Sequence, residues 1–410
     1  MDRKATFKLL IASVIIGVMI GLATDLFIRL IQRTSTFIWN NLVPHAQDKK
    51  LAVIAITTIG GLLMGACVKF YGTNNGIGFE AVTAAIKKEG KLSVIQLPRV
   101  VLNTFIGLVT GASVGPEAPL ITLGGYMGQA LGDKFKLAKK QVLGFVTIAL
   151  GGSLGVLVDS PVAGPILLTE QAPTDDPKTN RLLIFCSMVA ASVGYAIYVA
   201  LKAPFISSLH LVPAYTTFRA RDLIFALIIG VIGTTIGVVE KTLIVRLKDV
   251  FSVINKYPVA RGGLVGIFIG LCGAFFPLVL FDGSSQLAHI VSNVSTYSIL
   301  MLLTLGVVRL LSTSVALSGG YQGGNIFPTI FITGVVGLAI SAMFPAIPAA
   351  VAMVACMASA MFVFIPLPLF TIFLFAELGG FNLIPAMAMS LVGAYVVMQL
   401  RPALFLQEDK

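Results

Sequence analysis

Gly111-Ala112-Ser113-Val114-Gly115-Pro116-Glu117-Ala118-Pro119-Leu120-Ile121 is the stretch whose reading decides the fold. It sets glycine and proline breaks, and one carboxylate, inside an otherwise apolar part of the chain. A second stretch, Gly320-Tyr321-Gln322-Gly323-Gly324-Asn325-Ile326-Phe327-Pro328-Thr329-Ile330, matches it at a constant offset of 209 residues. Gly111, Gly115 and Pro119 pair with Gly320, Gly324 and Pro328. In the same frame Ile121, Gly125 and Gly128 pair with Ile330, Gly334 and Gly337. At nearly the same offset, the apolar runs Pro161 to Glu170 and Pro368 to Glu377 each end in a carboxylate. Two homologous halves, 1–205 and 206–410, are the simplest account.

Outward from these breaks the chain is almost wholly apolar. Of 410 residues 57% are hydrophobic and 11% charged, with a mean hydropathy of +0.94. Soluble domains carry about 25% charged residues, so too little polar sequence is present to clothe a soluble core. Runs such as Leu9 to Phe27, Leu51 to Val68, Leu223 to Val239 and Ala350 to Ala376 reach the roughly 20 residues of a bilayer span. The fold class expected is an all-α polytopic membrane protein.

The first apolar run is longer than a signal peptide's and passes into Asp25, Arg29 and Arg33 without a small-residue cleavage site. Asp2, Arg3, Lys4 and Lys8 before it predict a cytoplasmic N-terminus in a cell membrane. The net charge of +11 comes from short basic loops, as at Lys87 to Lys91 and Lys134 to Lys140. It reads as topology and headgroup contact, with a contribution to an electropositive vestibule, and not as a nucleic-acid surface. Cys67, Cys186, Cys272 and Cys356 stand singly, so neither a disulfide framework nor a metal site is expected. No cofactor and no soluble regulatory domain are expected either.

Hydropathy and breaker positions predict helices near 5–34, 50–70, 76–88, 97–110, 116–131, 138–157, 162–172, 178–201, 217–248, 258–280, 284–293, 296–312, 324–343, 348–364, 367–378 and 382–400. Several are shorter than a full span. Single glycines in membrane helices serve close packing. A glycine cluster followed by proline and a fresh helix is different, because irregular backbone at membrane depth is tolerated only when buried in protein or lining a cavity. Such broken helices point to a transport site.

Each break opens a helix whose first-turn N–H groups lack partners and whose dipole is positive there. Several such ends converging bind an anion without a full charge, weakly enough for it to leave. Glu117 lies in the first break. A carboxylate there is a favourable dipole partner at a water-facing end. Inside a membrane it is a functional candidate, a tethered anion that yields its place when protonated or swung away.

These segments resemble the CLC family of chloride channels and chloride/proton antiporters. Gly115-Pro116-Glu117-Ala118-Pro119, continuing to Gly124, resembles the family's gating-glutamate motif. Gly324-Asn325-Ile326-Phe327-Pro328 is similar to its second-half motif, and Asn74-Asn75-Gly76-Ile77-Gly78 to its early serine motif. Pro161 to Glu170 and Thr371 to Pro385 are similar to two further apolar stretches, and the order holds along nearly the whole chain. The resemblance implies a homodimer with one anion pathway per subunit, built from two inverted-topology halves. It implies Glu117 as gate and proton carrier. Asn75, Gly76, Ile77, Gly115, Pro116, Ala118, Gly324, Asn325, Ile326 and Phe327 are implied as the anion-binding positions.

Departures bear on mechanism. Asn75 stands where the family has an anion-contacting serine; its amide can donate to an anion, and Asn-Gly is also an ordinary turn. Ile326 stands at the family's phenylalanine, with Phe327 next. Leu404 or Phe405 falls nearest the pore tyrosine, and neither has a hydroxyl. Gln171 occupies the inner proton-relay position and does not titrate. Three variants stay open: a passive anion channel, an antiporter using Glu117 with another proton route, and the fluoride/proton branch.

Rival classes fare poorly. His45, His210 and His289 are scattered and form no His-Glu-x-x-His pattern, so an intramembrane enzyme is not expected. A cation or organic-solute carrier is expected to show embedded acids on several helices, and the acids that stand out are Glu117, Glu170 and Glu377. Glu170 and Glu377 read as structural or water-facing groups at helix ends, Asp159 as the cap of the helix after Pro161, Arg309 as lying near an interface or paired with carbonyls, and Thr110, Ser113 and Thr122 as packing hydroxyls.

Overall fold

The computed structural model describes residues 3–72, 78–89, 91–93, 96–171, 174, 176–203 and 211–400. Up to residue 203 the chain runs through α1 (Arg3–Phe37), a π-helical turn (Ile38–Leu42), α2 (Val43–His45), α3 (Lys49–Tyr71), α4 (Phe79–Glu89), α5 (Gln96–Val109), α6 (Glu117–Lys134), α7 (Lys139–Leu157), α8 (Ala163–Glu170) and α9 (Pro177–Ala200). From 211 it runs through α10 (Ala220–Ser252), α11 (Pro258–Phe275), α12 (Ser284–Ser292), α13 (Ile299–Gly319), α14 (Ile326–Met343), α15 (Ala349–Phe364), α16 (Pro368–Gly379) and α17 (Ile384–Leu400). Among the described residues eight helices are long and apolar enough to cross a membrane.

Two expectations shift. The helix expected over 258–280 ends at Phe275, because Pro277 lacks an amide for the ladder; a 3₁₀ turn, Pro277–Val279, follows. The helix expected to stop at 312 runs on to Gly319. It stops only where Gly320 takes a left-handed φ of 112°, and Gly111, its counterpart in the repeat, takes 87°. Both breaks thus use the backbone freedom that glycine alone has at low cost.

Helix pairs pack through small residues. A Cβ on Gly61 would run into the carbonyl of Gly262, and one on Gly262 into that of Gly61, so α3 and α11 touch backbone to backbone. α15 is buried all round from Ala350 to Val363 and forms the centre of the core. The outer faces carry large apolar side chains such as Phe7, Leu26, Leu62, Ile224, Leu300 and Val392, surface suited to lipid and not to water.

The repeat is visible in the backbone. α6 and α14 are each 18 residues long and begin 209 residues apart. Just before them Gly115 and Gly324 form an antiparallel bridge. The two helices therefore start at one place.

Candidate functional site

The site is the joint start of α6 and α14. Pro116 and Asn325 hold the two N-cap positions, and neither offers a side-chain cap. The first-turn amides are therefore left for another acceptor. That acceptor is Glu117, the first residue of α6. Its side chain is 2% exposed. Oε1 accepts the Ile326 N–H at 2.6 Å, and the amides of Phe327 and of Glu117 itself are also turned to the carboxylate. Oε2 has no hydrogen-bond partner among the described residues. Ile326 is Glu117's own counterpart at the 209-residue offset, so the carboxylate of one repeat sits on the helix N-terminus of the other. A Cβ on Gly115 or Gly324 would overlap the Glu117 carboxyl group. Glycine at these positions makes the room.

Of the positions implied for the anion, Gly115, Pro116, Ala118, Gly324, Asn325, Ile326 and Phe327 come together here. Ile326 and Phe327 are buried, and Asn325 and Ala118 half-buried. Asn75, Gly76 and Ile77 lie outside the described residues, as do Leu404 and Phe405. The next residue of the early motif, Gly78, is described. It is buried, its N–H donates to Thr122 Oγ1 at 2.9 Å, and Thr122 in turn donates to Ala118 O at 2.7 Å. Gly78 thus sits against the start of α6. Gln171 lies elsewhere: it caps the C-terminus of α8, and its N–H goes to Leu167 O.

α5 and α13 brace the second break. Asn103 Oδ1 accepts from Gln322 N at 2.8 Å, Thr104 Oγ1 donates to Gln322 O at 2.6 Å, and Ser113 Oγ meets Thr313 Oγ1 at 2.8 Å. The hydroxyls expected to pack do so.

Beside Pro116 opens a cavity of about 470 Å³, lined among others by Gln32, Ser35, Thr36, Asp282 and Gln286. Asp282 Oδ1 accepts from Ser284 N and Ser284 Oγ, both at 3.0 Å. Its loop is strained at Phe281, with φ 64°, and such strain persists only where the surroundings over-determine it. Arg309 does this from α13. Fully buried, it donates to Val279 O at 2.7 Å, Leu280 O at 3.0 Å and Phe281 O at 2.7 Å. Of the two expected readings, near an interface or paired with carbonyls, Arg309 takes the second. The loop it holds, and Asp282 in particular, is not legible in the sequence.

Glu240 was also missed. It sits on α10 with 0% exposure; Oε2 accepts from Thr329 Oγ1 at 3.0 Å, and Oε1 has no hydrogen-bond partner among the described residues. The signal was present: Glu240 ends the apolar run Leu223 to Val239 within one long helix, and an ionisable group at such a place is unusual.

The helix-end acids act as structural groups, across the repeat. Glu170, closing α8, accepts the N–H groups of Leu369 at 2.9 Å and Phe370 at 2.8 Å and so caps α16. Glu377, on α16, accepts from Ser160 Oγ at 2.9 Å. Ser160 Oγ then takes the amides of Val162 and Ala163 at 3.3 and 3.1 Å. The start of α8 is therefore capped by Ser160 and not, as expected, by Asp159. Asp159 has a left-handed φ of 56°, and the hydroxyl one residue later lies at the usual capping span from these amides.

A bundle of broken membrane helices whose N-termini meet on one buried negative group defines a membrane transport protein. The family model for voltage gated chloride channels matches residues 60–399, and the chain belongs to that family, which places it among anion-transport proteins. Its relatives include "Putative ion-transport protein YfeO" of Salmonella paratyphi A, 28% identical over 356 residues that cover 85% of this chain and 84% of the relative. The protein of the same name from Escherichia fergusonii is 27% identical over 350 residues, covering 82% and 80%. In fold the chain is similar to a slow cyanobacterial Cl⁻/H⁺ antiporter, with a TM-score of 0.81 at 21% identity over 97% of this chain and 98% of that one. It is also similar to a CLC-type fluoride/proton antiporter, with a TM-score of 0.79 at 19% identity over 97% and 96%.

Proposed function

We propose that the protein moves small inorganic anions, chloride first and fluoride as the second reading, through a pathway gated by Glu117 and coupled to protons. The observation that carries this is the buried Glu117 carboxylate on the Ile326 amide, with Oε2 unpartnered. A helix N-terminus favours any anion. While Glu117 is ionised it fills the place itself. On taking a proton it loses the charge that holds it there, swings out, and leaves the amides of Ile326 and Phe327 to the mobile ion. The proton leaves with the side chain as an O–H, so one residue both gates and carries.

In this reading Gly115, Pro116, Ala118, Gly324 and Asn325 form the walls, and the sequence resemblance assigns Asn75, Gly76 and Ile77 to the same anion path. The halves 1–205 and 206–410 are related as inverted repeats, which the Gly115–Gly324 bridge supports. The working unit is a homodimer in the cell membrane with the N-terminus in the cytoplasm. Crosslinking in membranes tests the dimer.

The deciding experiment loads liposomes containing the purified protein with chloride or fluoride, side by side, and follows anion flux and external pH. Glu117→Gln is expected to abolish proton movement or remove the pH dependence of flux. No flux of either anion through folded protein refutes the anion reading. Flux without proton movement in the wild type refutes the coupling and leaves a passive channel.

A further inference from the structure

Two carboxylates bracket the first turn of α14. Glu117 is held on the amide of Ile326, and Glu240 is held by the hydroxyl of Thr329. Three residues separate these donors, about 4.5 Å of rise along the helix at 1.5 Å per residue. Both side chains are essentially sealed from solvent, and each keeps one oxygen without a hydrogen-bond partner among the described residues. An unmet polar atom at this depth is costly. Glu240 is half satisfied, and the gate described above makes no use of it.

Its surroundings suit a group that changes charge. α10 packs on α13, α14, α15 and α17. Of these, α14, α15 and α17 carry no Asp, Glu, Lys, Arg or His; their ionisable types are Cys356, buried, and Tyr395, exposed. Lys241, next on α10, turns its Nζ toward Val363 O at 3.4 Å. Among the described residues, Arg309 is the charged side chain whose field reaches Glu240, and its charge also acts on Asp282 in the loop lining the cavity. Arg309 has already committed its terminal nitrogens to three carbonyls. It therefore supplies a positive field without closing a direct ion pair, and Glu240 keeps an oxygen free to take a proton.

We infer that Glu240 is a second proton-carrying carboxylate of this protein, held like Glu117 by the start of α14. Arg309 compensates its charge when the proton leaves. Each step makes and breaks only O–H bonds: Glu240 as the carboxylic acid gives its proton to a water and becomes the carboxylate, and takes a proton from a water to become the acid again. The inference rests on the proton-coupled reading above.

The test reconstitutes the full chain as wild type, Glu240→Gln and Glu240→Asp, and measures protons moved per anion under an anion gradient. The expected result is loss of anion-driven proton uptake to the level of protein-free vesicles in Glu240→Gln, with anion flux persisting and with coupling partly restored in Glu240→Asp. Wild-type proton-to-anion ratios in Glu240→Gln overturn the inference and leave the coupled reading standing. A wild type that moves anions without protons overturns both. If Glu240→Gln does not insert, infrared difference spectra of Glu117→Gln during a pH jump decide. A second buried carboxyl band that changes supports the assignment, and its absence overturns it.

Discussion

Gly115 and Gly324 exchange both backbone hydrogen bonds, each N–H donating to the other's carbonyl at 2.8 Å. Two residues on from Gly115, the Glu117 side chain reaches the amide of Ile326, its counterpart at the 209-residue offset. A side chain larger than hydrogen has no room at either position, because the carboxyl group of Glu117 fills the space.

Gly324→Ala should therefore displace the gate. The expected outcome is anion flux that has lost its pH dependence, as in Glu117→Gln, with a destabilisation of about 1–3 kcal/mol from overpacking. Flux against pH in liposomes, with thermal unfolding in detergent alongside, reads both effects. Unchanged pH dependence in a folded variant would show that Glu117 does not occupy this space during transport.

Glu170 reaches across to the start of α16, and Ser160 answers at the start of α8. Each cap is worth about 1 kcal/mol on the usual scale. Glu170→Ala and Ser160→Ala should each lower the unfolding midpoint, whereas Glu170→Gln, which keeps an acceptor oxygen, should lose less. The loss should appear in stability assays and leave the anion preference unaltered. A change of preference would place these residues in the pathway.

Arg309 holds the strained loop Val279 to Phe281 and faces the charges of Asp282 and Glu240. Removing Arg309 strips three carbonyls of their charged donor, a cost of about 1–3 kcal/mol for each buried group left unmet. Arg309→Met should lose stability on that scale, and Arg309→Met combined with Glu240→Leu should recover part of it, because the buried negative charge is then gone as well. Equal stability of the single and double variants would exclude the coupling.

Asp176 stands at the start of α9, outside the span. The hydroxyl of Thr179 first, and then the amide of Lys178, hold its carboxyl below the ordinary aspartate range. A lowered value in the folded state means that the stabilisation is present above the unfolded value, about 3.9. It is lost as pH falls through the folded one. Asp176→Ala should thus melt earlier than wild type at neutral pH, and the two should converge in acid. A gap that persists in acid would assign the effect to packing and not to the charge.

Much of this was legible in the chain. Hydropathy marks membrane helices because burial in lipid depends on local composition. Gly320 and Gly111 mark breaks because a left-handed residue is a local demand on the backbone. The offset of 209 marks the repeat because both copies must make the same turn. Glu117 stood out as a carboxylate inside such a break. By contrast, nothing near Glu117 in sequence names Ile326 as its donor. Nothing near Glu170 names Leu369 and Phe370, and nothing near Asp282 names Arg309 as the residue that braces its loop. Ser160 took the capping role from Asp159 by an orientation that only the folded loop sets. Helix ranges and break points follow from neighbours along the chain, through propensity and hydropathy. The partner of each polar atom follows from how two distant repeats dock, and that contact has no trace in either segment alone.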